Sequence, residues 1–254
     1  MSAARGCILL TRPQAESDQL ARALAPLGVD RIVFPTLEIR PSEPDAEGAR
    51  RIEALEHYGL AVFVSVNAVR CGLAAVRARR AWPRDTRVAA VGAATAEALA
   101  EAGFERVLTP ESGHDSEALL AHPALAQVSA VRILVVRGEG GREHLAAALR
   151  ARGAHVDYLE AYRRVVPESD PEPVRRLLRE GCIRAVVAAS AEGVRNLLHM
   201  LGSDAGDMVR RLPLLVHHPR IAQAACALGF SDVRVVAADA AALAPVLRAC
   251  VERT

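Results

Sequence analysis

Short runs of β-branched and other apolar residues alternate along the chain with 10- to 15-residue segments of helical periodicity. The runs predict ten strands, at residues 7–11, 31–39, 60–65, 87–91, 106–108, 132–137, 155–165, 184–190, 213–217 and 233–236. Between them, apolar residues recur every three or four positions and stop at glycine, as Leu20 and Leu24 do before Gly28. This alternation is typical of βαβ units and predicts an α/β fold with parallel sheets.

The second half of the chain repeats the first at a displacement of about 125 residues. Ile8–Arg12 resembles Ile133–Arg137, and later blocks keep the register, with the matched pairs Leu20/Leu145, Gly28/Gly153, Ser65/Ser190, Leu73/Leu198 and, at 126, Gly103/Gly229. Single matches arise easily in an alanine-rich chain. A near-constant register over separated blocks predicts an ancient duplication and two domains.

All 32 basic residues are arginine, because the chain contains no lysine. A Walker phosphate loop, a pyridoxal enzyme and a Schiff-base aldolase each need a lysine, so these classes are excluded. Arginine suits carboxylate and phosphate recognition. A GC-rich coding sequence also explains the bias, and the exclusions hold under either explanation.

Other classes are excluded by what the chain lacks. Four Phe, three Tyr and one Trp with a net charge of +2 give neither a base-stacking surface nor a basic field, so no nucleic acid partner is expected. The five cysteines are scattered without C-x-x-C spacing, which favours reduced thiols in a cytoplasmic protein without a metal site. No apolar run approaches a membrane span, and the start of the chain does not read as a signal peptide.

Duplicated polar residues stand where two pairs of predicted strands end. Arg12 and Arg137 each follow a first strand, and Ser65 and Ser190 precede predicted helices that they would cap. Loops beyond the carboxyl ends of parallel strands bind ligands, and helix N-termini favour anions. The pattern therefore indicates a polyanion site. The alternative is that the arginines form ordinary ion pairs and the serines only cap helices.

Two residues break the repeat. Tyr162 aligns with Leu37, and Thr95 aligns with Ile221. A tyrosine hydroxyl is protonated at neutral pH and can help an oxygen leave, although Tyr162 could equally pack under a hinge. The adjacent pair His217-His218 predicts no metal site, because neighbours in a strand point to opposite faces.

Seven motifs in order resemble the uroporphyrinogen-III synthase family over nearly the whole chain. They are Thr11-Arg12-Pro13, Ser65–Val69, Gly92–Leu99, Ser116–Leu120, Arg137–Leu145, Arg152–Val156 and Glu160–Arg164. The chain departs from the family at His217–Ala222, where many relatives carry small residues before a helix.

The resemblance implies two flavodoxin-like parallel-sheet domains joined by a two-stranded linker, with the substrate in a cleft between them. One domain would combine residues 1–35 with 167–254, and the other would run from 41 to 161. The linker would comprise residues 36–40 and 162–166.

The activity implied by the resemblance is that of a lyase of porphyrin and haem biosynthesis without a cofactor. Hydroxymethylbilane would lose water and cyclise through a spiro intermediate that inverts its last ring, giving uroporphyrinogen III. The protein would act as a cytoplasmic monomer without membrane contact, able to touch the preceding pathway enzyme transiently.

The resemblance also assigns residue roles. Tyr162 would assist loss of water and Thr95 would position the substrate. The implied substrate-binding residues are Arg12, Ser65, Arg137, Gly138, Arg142, Ser190 and Arg220.

Two rival functions remain open at this stage. A non-enzymatic two-domain protein that binds a small anionic molecule would share the duplicated halves and the arginines. A two-domain glycosyltransferase would need a nucleotide site that the sequence does not contain: the glycine cluster at residues 138–141 lacks the third glycine of a dinucleotide fingerprint, since Glu143 stands there.

Overall fold

The computed structural model describes residues 6–110, 113, 115–141 and 143–252, in which strands and helices alternate. The strands are β1 (Cys7–Leu10), β2 (Asp30–Val33), β3 (Glu38–Pro41), β4 (Leu60–Phe63), β5 (Arg87–Ala90), β6 (Val107–Leu108), β7 (Arg132–Gly138), β8 (His155–Val165), β9 (Ile183–Val187), β10 (Leu214–Val216) and β11 (Val233–Val235). The α-helices are α1 (Gln14–Leu24), α2 (Ala46–Glu53), α3 (Val66–Arg77), α4 (Ala93–Glu101), α5 (Ser116–Leu120), α6 (His144–Ala151), α7 (Glu172–Arg179), α8 (Ala191–Arg210), α9 (Pro219–Ala227) and α10 (Ala240–Glu252).

The strands form two sheets, and the chain divides into two compact units. The first unit contains the chain up to Glu38 and from Val165 onward, with sheet order β11-β10-β9-β1-β2. The second unit, Ile39–Arg164, carries the order β3-β8-β7-β4-β5-β6. The central strands of both sheets are parallel, which confirms the predicted α/β class. Within the described residues, no helix is long and apolar enough to span a membrane.

The two sheets share one strand order once the duplication is taken into account. At a displacement of 125 or 126 residues, β1 and β2 correspond to β7 and β8, and β4, β5 and β6 correspond to β9, β10 and β11. The pairing register follows the same displacement: Ile8 opposite Ala185 in one sheet corresponds to Ile133 opposite Leu60 in the other. The strand order and the pairing register of the two sheets thus follow the displacement on which the predicted duplication rests. In the first unit this order is the flavodoxin-like 2-1-3-4-5.

Alternating residues of each strand bury opposite faces of their sheet. In the second unit, Phe63 packs in a cluster with residues of α3, while Val62 packs with residues of α5 and α6. In the first unit, Leu9 belongs to the cluster that includes α7 to α9, and Ile8 to the cluster that includes α1 and α10. Both faces of each sheet are covered, which explains the nearly continuous apolar runs of the strand sequences.

One predicted strand is wrong, because residues 31–39 form two strands in different sheets. The backbone N–H groups of Phe34 and Thr36 donate to the carbonyls of Leu10 and Thr11 at 2.9 and 3.2 Å, continuing along β1. Pro35, between them, has no N–H to donate, and the chain then leaves for the second sheet as β3. The segments 36–40 and 162–166, expected as linkers, thus contain much of β3 and the end of β8.

Candidate functional site

Five of the predicted site residues lie along one edge of the sheet in the second unit. Ser65 follows β4, Thr95 lies in the first turn of α4 after β5, and Arg137 and Gly138 end β7 beside Tyr162 of β8. These are the carboxyl ends of parallel strands, where α/β proteins place ligands.

A β-bulge between β7 and β8 determines the face of the sheet to which the Tyr162 side chain points. Arg137 stands opposite Glu160 and Gly138 stands opposite Tyr162, so the register skips Ala161. Regular alternation would send Tyr162 to the face that Tyr158 occupies. With the bulge, its ring instead joins Ala161 in the cluster that packs around α3.

The Tyr162 hydroxyl lies 3.0 Å from Oγ of Ser65, and the side chain is 1% exposed. Ser65 caps α3, as predicted, because its Oγ accepts a hydrogen bond from the Ala68 N–H at 3.1 Å. A serine hydroxyl has one proton and two lone pairs. With one lone pair engaged by Ala68, Ser65 can donate its proton to the Tyr162 oxygen and leave the Tyr162 proton available for a ligand.

Tyr162 and Gly138 both line a cavity of about 420 Å³ in this unit. Ser116, Arg164 and Leu145 contribute to the same wall, and the guanidinium of Arg164 lies 5.7 Å from the centre of the Tyr162 ring. The cavity therefore combines a hydroxyl, a cation and apolar surface.

Gly138 is required by the close approach of Tyr162. A Cβ atom added at Gly138 would lie 2.6 Å from Cε2 and 2.7 Å from Cζ of the Tyr162 ring. The Glu139 N–H donates to the Tyr162 carbonyl at 2.8 Å, which ties the start of the glycine loop to the same strand. Packing against Tyr162 thus explains why glycine is present at position 138, independently of its predicted role in binding.

The guanidinium of Arg137 is hydrogen-bonded to other residues of the same unit. Its guanidinium donates to Glu160 at 3.0 and 3.2 Å, to Glu143 at 2.7 Å and to the Gly141 carbonyl at 3.1 Å, and it stacks on the Tyr158 ring at 3.7 Å. Burial acts to lower the pKa of Arg137, but the hydrogen bonds to Glu143 and Glu160 outweigh burial and raise it. These contacts hold the loop 138–141 in place. Arg137 therefore forms ion pairs within the protein, which was the alternative to its being a ligand-binding residue.

The partners of Arg137 are also bound to each other. The Tyr158 hydroxyl donates to Glu143, which with the Arg137 contact lowers the pKa of the Glu143 carboxyl. Burial and the same Glu143 contact raise the pKa of Tyr158. The cluster therefore keeps its charges, a carboxylate against a guanidinium, at neutral pH.

Thr95 is 6% exposed, and its backbone N–H donates to the Gly92 carbonyl at 3.0 Å. Gly92 precedes α4 without a capping side chain. The side chain of Thr95 thus lies at a helix start whose N–H groups receive no capping side chain.

In the first unit, Arg12 differs from its counterpart Arg137. Its Nε is buried without a hydrogen-bond partner among the described residues, and its Nη2 only approaches the Ala238 carbonyl at 3.4 Å. Burial lowers the pKa of Arg12, and Glu16 opposes that change. A buried guanidinium nitrogen without an acceptor is costly, and an anionic ligand would relieve that cost.

Ser190 caps α8 as predicted, accepting from the Gly193 N–H at 2.9 Å. Arg220 lies in the first turn of α9 and is exposed, and its backbone N–H donates to Nδ1 of the capping residue His218 at 3.1 Å. His218 corresponds to Gly92 in the repeat, so the two equivalent helix starts differ: one is capped by an imidazole and one is open.

Arg142 lies outside the described residues. Its neighbours in sequence, Gly141 and Glu143, are both held by Arg137.

Sequence reasoning missed the network in the first unit that joins Thr11, Thr36 and Asn196. The Thr36 Oγ1 donates to the Thr11 carbonyl at 3.2 Å, and the Asn196 amide donates to the Thr36 carbonyl at 2.8 Å. It also missed Tyr158, Glu143 and Glu160 as partners of Arg137. For Tyr158 and Glu160 a signal existed, since they alternate on one strand beside the arginine's strand. In the described residues, no group of three or more His, Cys, Asp or Glu side chains could hold a metal ion.

Comparison with known proteins identifies the family. The family model of uroporphyrinogen-III synthase HemD matches residues 18–243. The chain belongs to the uroporphyrinogen-III synthase family. It is 33% identical over 232 residues to the family's enzyme from Escherichia coli (strain K12), covering 90% of this chain and 94% of that protein. It is 30% identical over 202 residues to the family's enzyme from Synechococcus elongatus, covering 78% of this chain and 76% of the relative.

Solved structures of the family share the fold. A mutant uroporphyrinogen III synthase from the extremely thermophilic bacterium Thermus thermophilus matches with a TM-score of 0.65 at 20% identity, covering 98% of this chain and 100% of that one. The family's enzyme from Helicobacter pylori 26695 matches with a TM-score of 0.60 at 11% identity, covering 96% and 98%. The architecture is thus retained at low sequence identity.

Proposed function

We propose that the chain is a lyase that cyclises hydroxymethylbilane to uroporphyrinogen III with loss of water. Membership of the uroporphyrinogen-III synthase family supports the reaction. The main structural support for the position of the active site is the pair of hydroxyls of Tyr162 and Ser65, which lie 3.0 Å apart beside the cavity in the second unit.

Tyr162 acts as the acid in this proposal. As the C–O bond of the bilane's hydroxymethyl group breaks, the phenol proton passes to the departing oxygen, and water leaves. The electron pair of the adjoining pyrrole replaces the broken bond and gives an azafulvenium cation that keeps its N–H proton. The Ser65 hydroxyl donates to the oxygen of Tyr162 as negative charge develops there, and the N-terminus of α3 favours that charge. The proton lost when the final ring regains aromaticity restores the phenol.

Ring inversion then depends on geometry. The exocyclic carbon of the azafulvenium cation accepts attack from the substituted position of the far pyrrole, giving the spiro intermediate, which fragments and recloses. Because unaided cyclisation gives the unrotated isomer, the protein must hold the bilane in the conformation that favours spiro attack. The substrate's eight carboxylates supply the handles for this.

The residues divide into ligands and positioning groups. Arg12, Ser190 and Arg220 stay predicted carboxylate ligands, and Arg12 is the best supported because one of its nitrogens is buried without a partner among the described residues. Thr95 and the open start of α4 stay predicted for substrate positioning. Arg137 holds the loop that begins at Gly138 and so acts through that loop, and Arg142 stays a predicted ligand.

The test supplies hydroxymethylbilane, generated in situ from porphobilinogen, and separates the oxidised uroporphyrin isomers. The wild-type chain should give isomer III, and Tyr162→Phe should slow its formation by about 10²-fold, within the range of acid catalysis. Tyr58→Phe is the matched control: Tyr58 is also buried, and its hydroxyl donates to Asp157 at 2.8 Å, away from the proposed site. It should lose stability but keep turnover.

Two results would contradict the proposed activity, and a third would contradict only the role of Tyr162. Formation of isomer I alone by the wild-type chain would remove the synthase activity, and saturable binding of the bilane without turnover would restore the alternative of a binding protein. Near-wild-type turnover by Tyr162→Phe would remove Tyr162 as the acid while leaving the activity in place.

Location and assembly are part of the same proposal. The five cysteines are free, which supports a reducing compartment, and we expect a cytoplasmic monomer. Sedimentation of the purified chain as a species about twice its mass of 27.0 kDa would overturn the monomer.

A further inference from the structure

The second unit has another cavity at the opposite end of its sheet from the proposed site. This groove has a volume of about 1190 Å³ and is lined at the amino ends of β5 and β6, by Thr86–Val88 and Glu105–Leu108. Tyr162 and Ser65 lie at the carboxyl ends of the same sheet. We name it the arginine groove after the residues that surround its aromatic floor: Arg77, Arg84, Arg87 and Arg106.

The floor of the arginine groove is a fixed aromatic pair. Trp82 meets Phe104 edge to face with ring centres 5.2 Å apart, and the centre of the Phe63 ring lies 5.9 Å from that of Trp82. The Trp82 Nε1 donates to the Thr86 carbonyl at 3.0 Å, so the indole is held in place while part of it stays accessible. A rigid, partly exposed tryptophan offers contact area at little cost in side-chain entropy.

The rim is strongly positive. Four arginines and His122 face a single carboxylate, Glu105, and all four arginines are exposed. Arg77 and Arg87 each donate to one backbone carbonyl, those of Ala102 at 2.8 Å and Gly59 at 3.4 Å.

The remaining two arginines of the rim, Arg84 and Arg106, have no hydrogen bond or ion pair with any residue that the structure describes. Their guanidinium groups are therefore available to carboxylates of a partner.

Size and composition favour a protein segment as the occupant. The volume exceeds the roughly 300–1,000 Å³ typical of small-molecule pockets. Arginine and tryptophan, together with tyrosine, are enriched in the energetic centres of protein interfaces. The groove also reaches β6, the edge strand of its sheet, and edge strands accept an added strand.

We propose that the arginine groove is a docking site for an acidic, extended segment of a partner protein. Carboxylates of that segment pair with Arg84 and Arg106, and its apolar side chains pack on Trp82 and Phe104. The proposal does not depend on the activity of the other site.

Trp82 reports on the groove directly, because it is the single tryptophan of the chain. The probe is a short, blocked peptide of alternating glutamate and valine, which has no fluorescence of its own, and the charge-reversed control replaces glutamate with lysine. The glutamate peptide should change Trp82 emission saturably, with a Kd on the order of 100 μM at low salt. Binding should weaken about tenfold at high salt. The lysine peptide should have no effect.

The double variant Arg84→Ala, Arg106→Ala should lose peptide binding at least tenfold while keeping the fold and turnover of the wild-type chain. Failure of the glutamate peptide to bind below about 1 mM overturns the proposal, as does unchanged binding by the double variant. Equally tight binding of benzenehexacarboxylate, a polyanion without a peptide backbone, would make the groove a small-anion site instead. Self-association abolished by the double variant would make a second copy the occupant. Either outcome overturns the proposal.

Discussion

Replacing Gly138 with alanine tests whether the placement of Tyr162 controls the chemistry. The new Cβ would lie 2.6 Å from Cε2 of the Tyr162 ring and 2.7 Å from its Cζ, the atom that carries the hydroxyl. Ordinary carbon contacts are about 3.5–4.0 Å, so the ring must retreat by about 1 Å. The Cβ of the new alanine would be fixed by the backbone of a buried strand, whereas the Tyr162 ring can turn about its side-chain bonds. We therefore expect the Tyr162 ring to move.

The displacement separates the two hydroxyls. A shift of about 1 Å lengthens the 3.0 Å contact between Ser65 and Tyr162 beyond hydrogen-bonding distance. Misplacing a reacting group by that amount costs about 10²-fold in rate. Forcing a methyl group into the packed contact also lowers the free energy of unfolding by about 1–3 kcal/mol. We therefore expect Gly138→Ala to lower kcat about 10²-fold at temperatures where the variant remains folded.

The assay combines single-turnover formation of isomer III with thermal unfolding, followed by circular dichroism. Gly59→Ala is the control: its Cβ would lie 3.1 Å from Val131 in the same unit, at the amino end of the sheet. It should lower the unfolding temperature and leave kcat unchanged.

A double variant makes the test sharper. Phenylalanine at position 162 keeps the ring that collides with the methyl group added by Gly138→Ala, but it lacks the proton. Adding Gly138→Ala to Tyr162→Phe should therefore lower stability again while changing kcat little, since both changes remove the same proton transfer. Multiplication of the two losses in kcat would refute the argument that Gly138 acts through Tyr162.

Three further expectations follow from other contacts. Arg137→Gln should lower the free energy of unfolding by about 1–3 kcal/mol and reduce kcat, since its loop loosens; a rise in KM alone would restore Arg137 as a substrate ligand. Gly206→Ala, inside α8 with only ordinary contacts beyond 3.4 Å, should raise stability by about 0.5–1 kcal/mol, and a lower unfolding temperature would contradict this. A thiol reagent should label Cys226 rapidly and spare buried Cys7, whose pKa burial raises to about 11; rapid labelling of more than one thiol would contradict it.

The strands and their parallel pairing were accessible from the sequence, because the strands are buried on both faces and read as apolar runs. The register of the duplication could also be predicted, because matched blocks such as those around Leu20/Leu145 and Gly28/Gly153 keep the same or similar residues at equivalent positions. Residues 31–39 show the limit: the apolar run continues through Phe34 and Leu37, which are both buried, although the chain changes sheets between them. A hydrophobic pattern reports burial and not the identity of the sheet.

The direction of Tyr162 could not be predicted in this way. Alternation along β8 places it with Tyr158 and Glu160, and only the bulge at Ala161 turns it toward Ser65. A bulge is set by the pairing of two strands, 23 to 24 residues apart in the chain here, and no local sequence signal marks it.

The repeated arginines were equivalent in sequence but are not in structure. Arg137 has acquired Glu143 and Glu160, whereas the corresponding positions near Arg12 are Asp18 and Pro35. One loop carboxylate and one strand carboxylate are enough to turn a candidate ligand into a structural clamp, and the difference emerges only when the partners are placed in space.

The crossing of the two repeats sets an order of events during synthesis. The continuous unit, Ile39–Arg164, can complete its sheet as soon as β8 leaves the ribosome. The central strand β1 cannot pair with β9 until β9 has been made. Just beyond β1, the Thr11 hydroxyl donates a hydrogen bond to the Val187 carbonyl at the end of β9, which lies 176 residues further along the chain. Strands β1 and β2 thus remain an unfinished part of their sheet until β9 has been made. Non-local closure of this kind is slow, and it makes the apolar β1 the segment most in need of protection in a newly made chain.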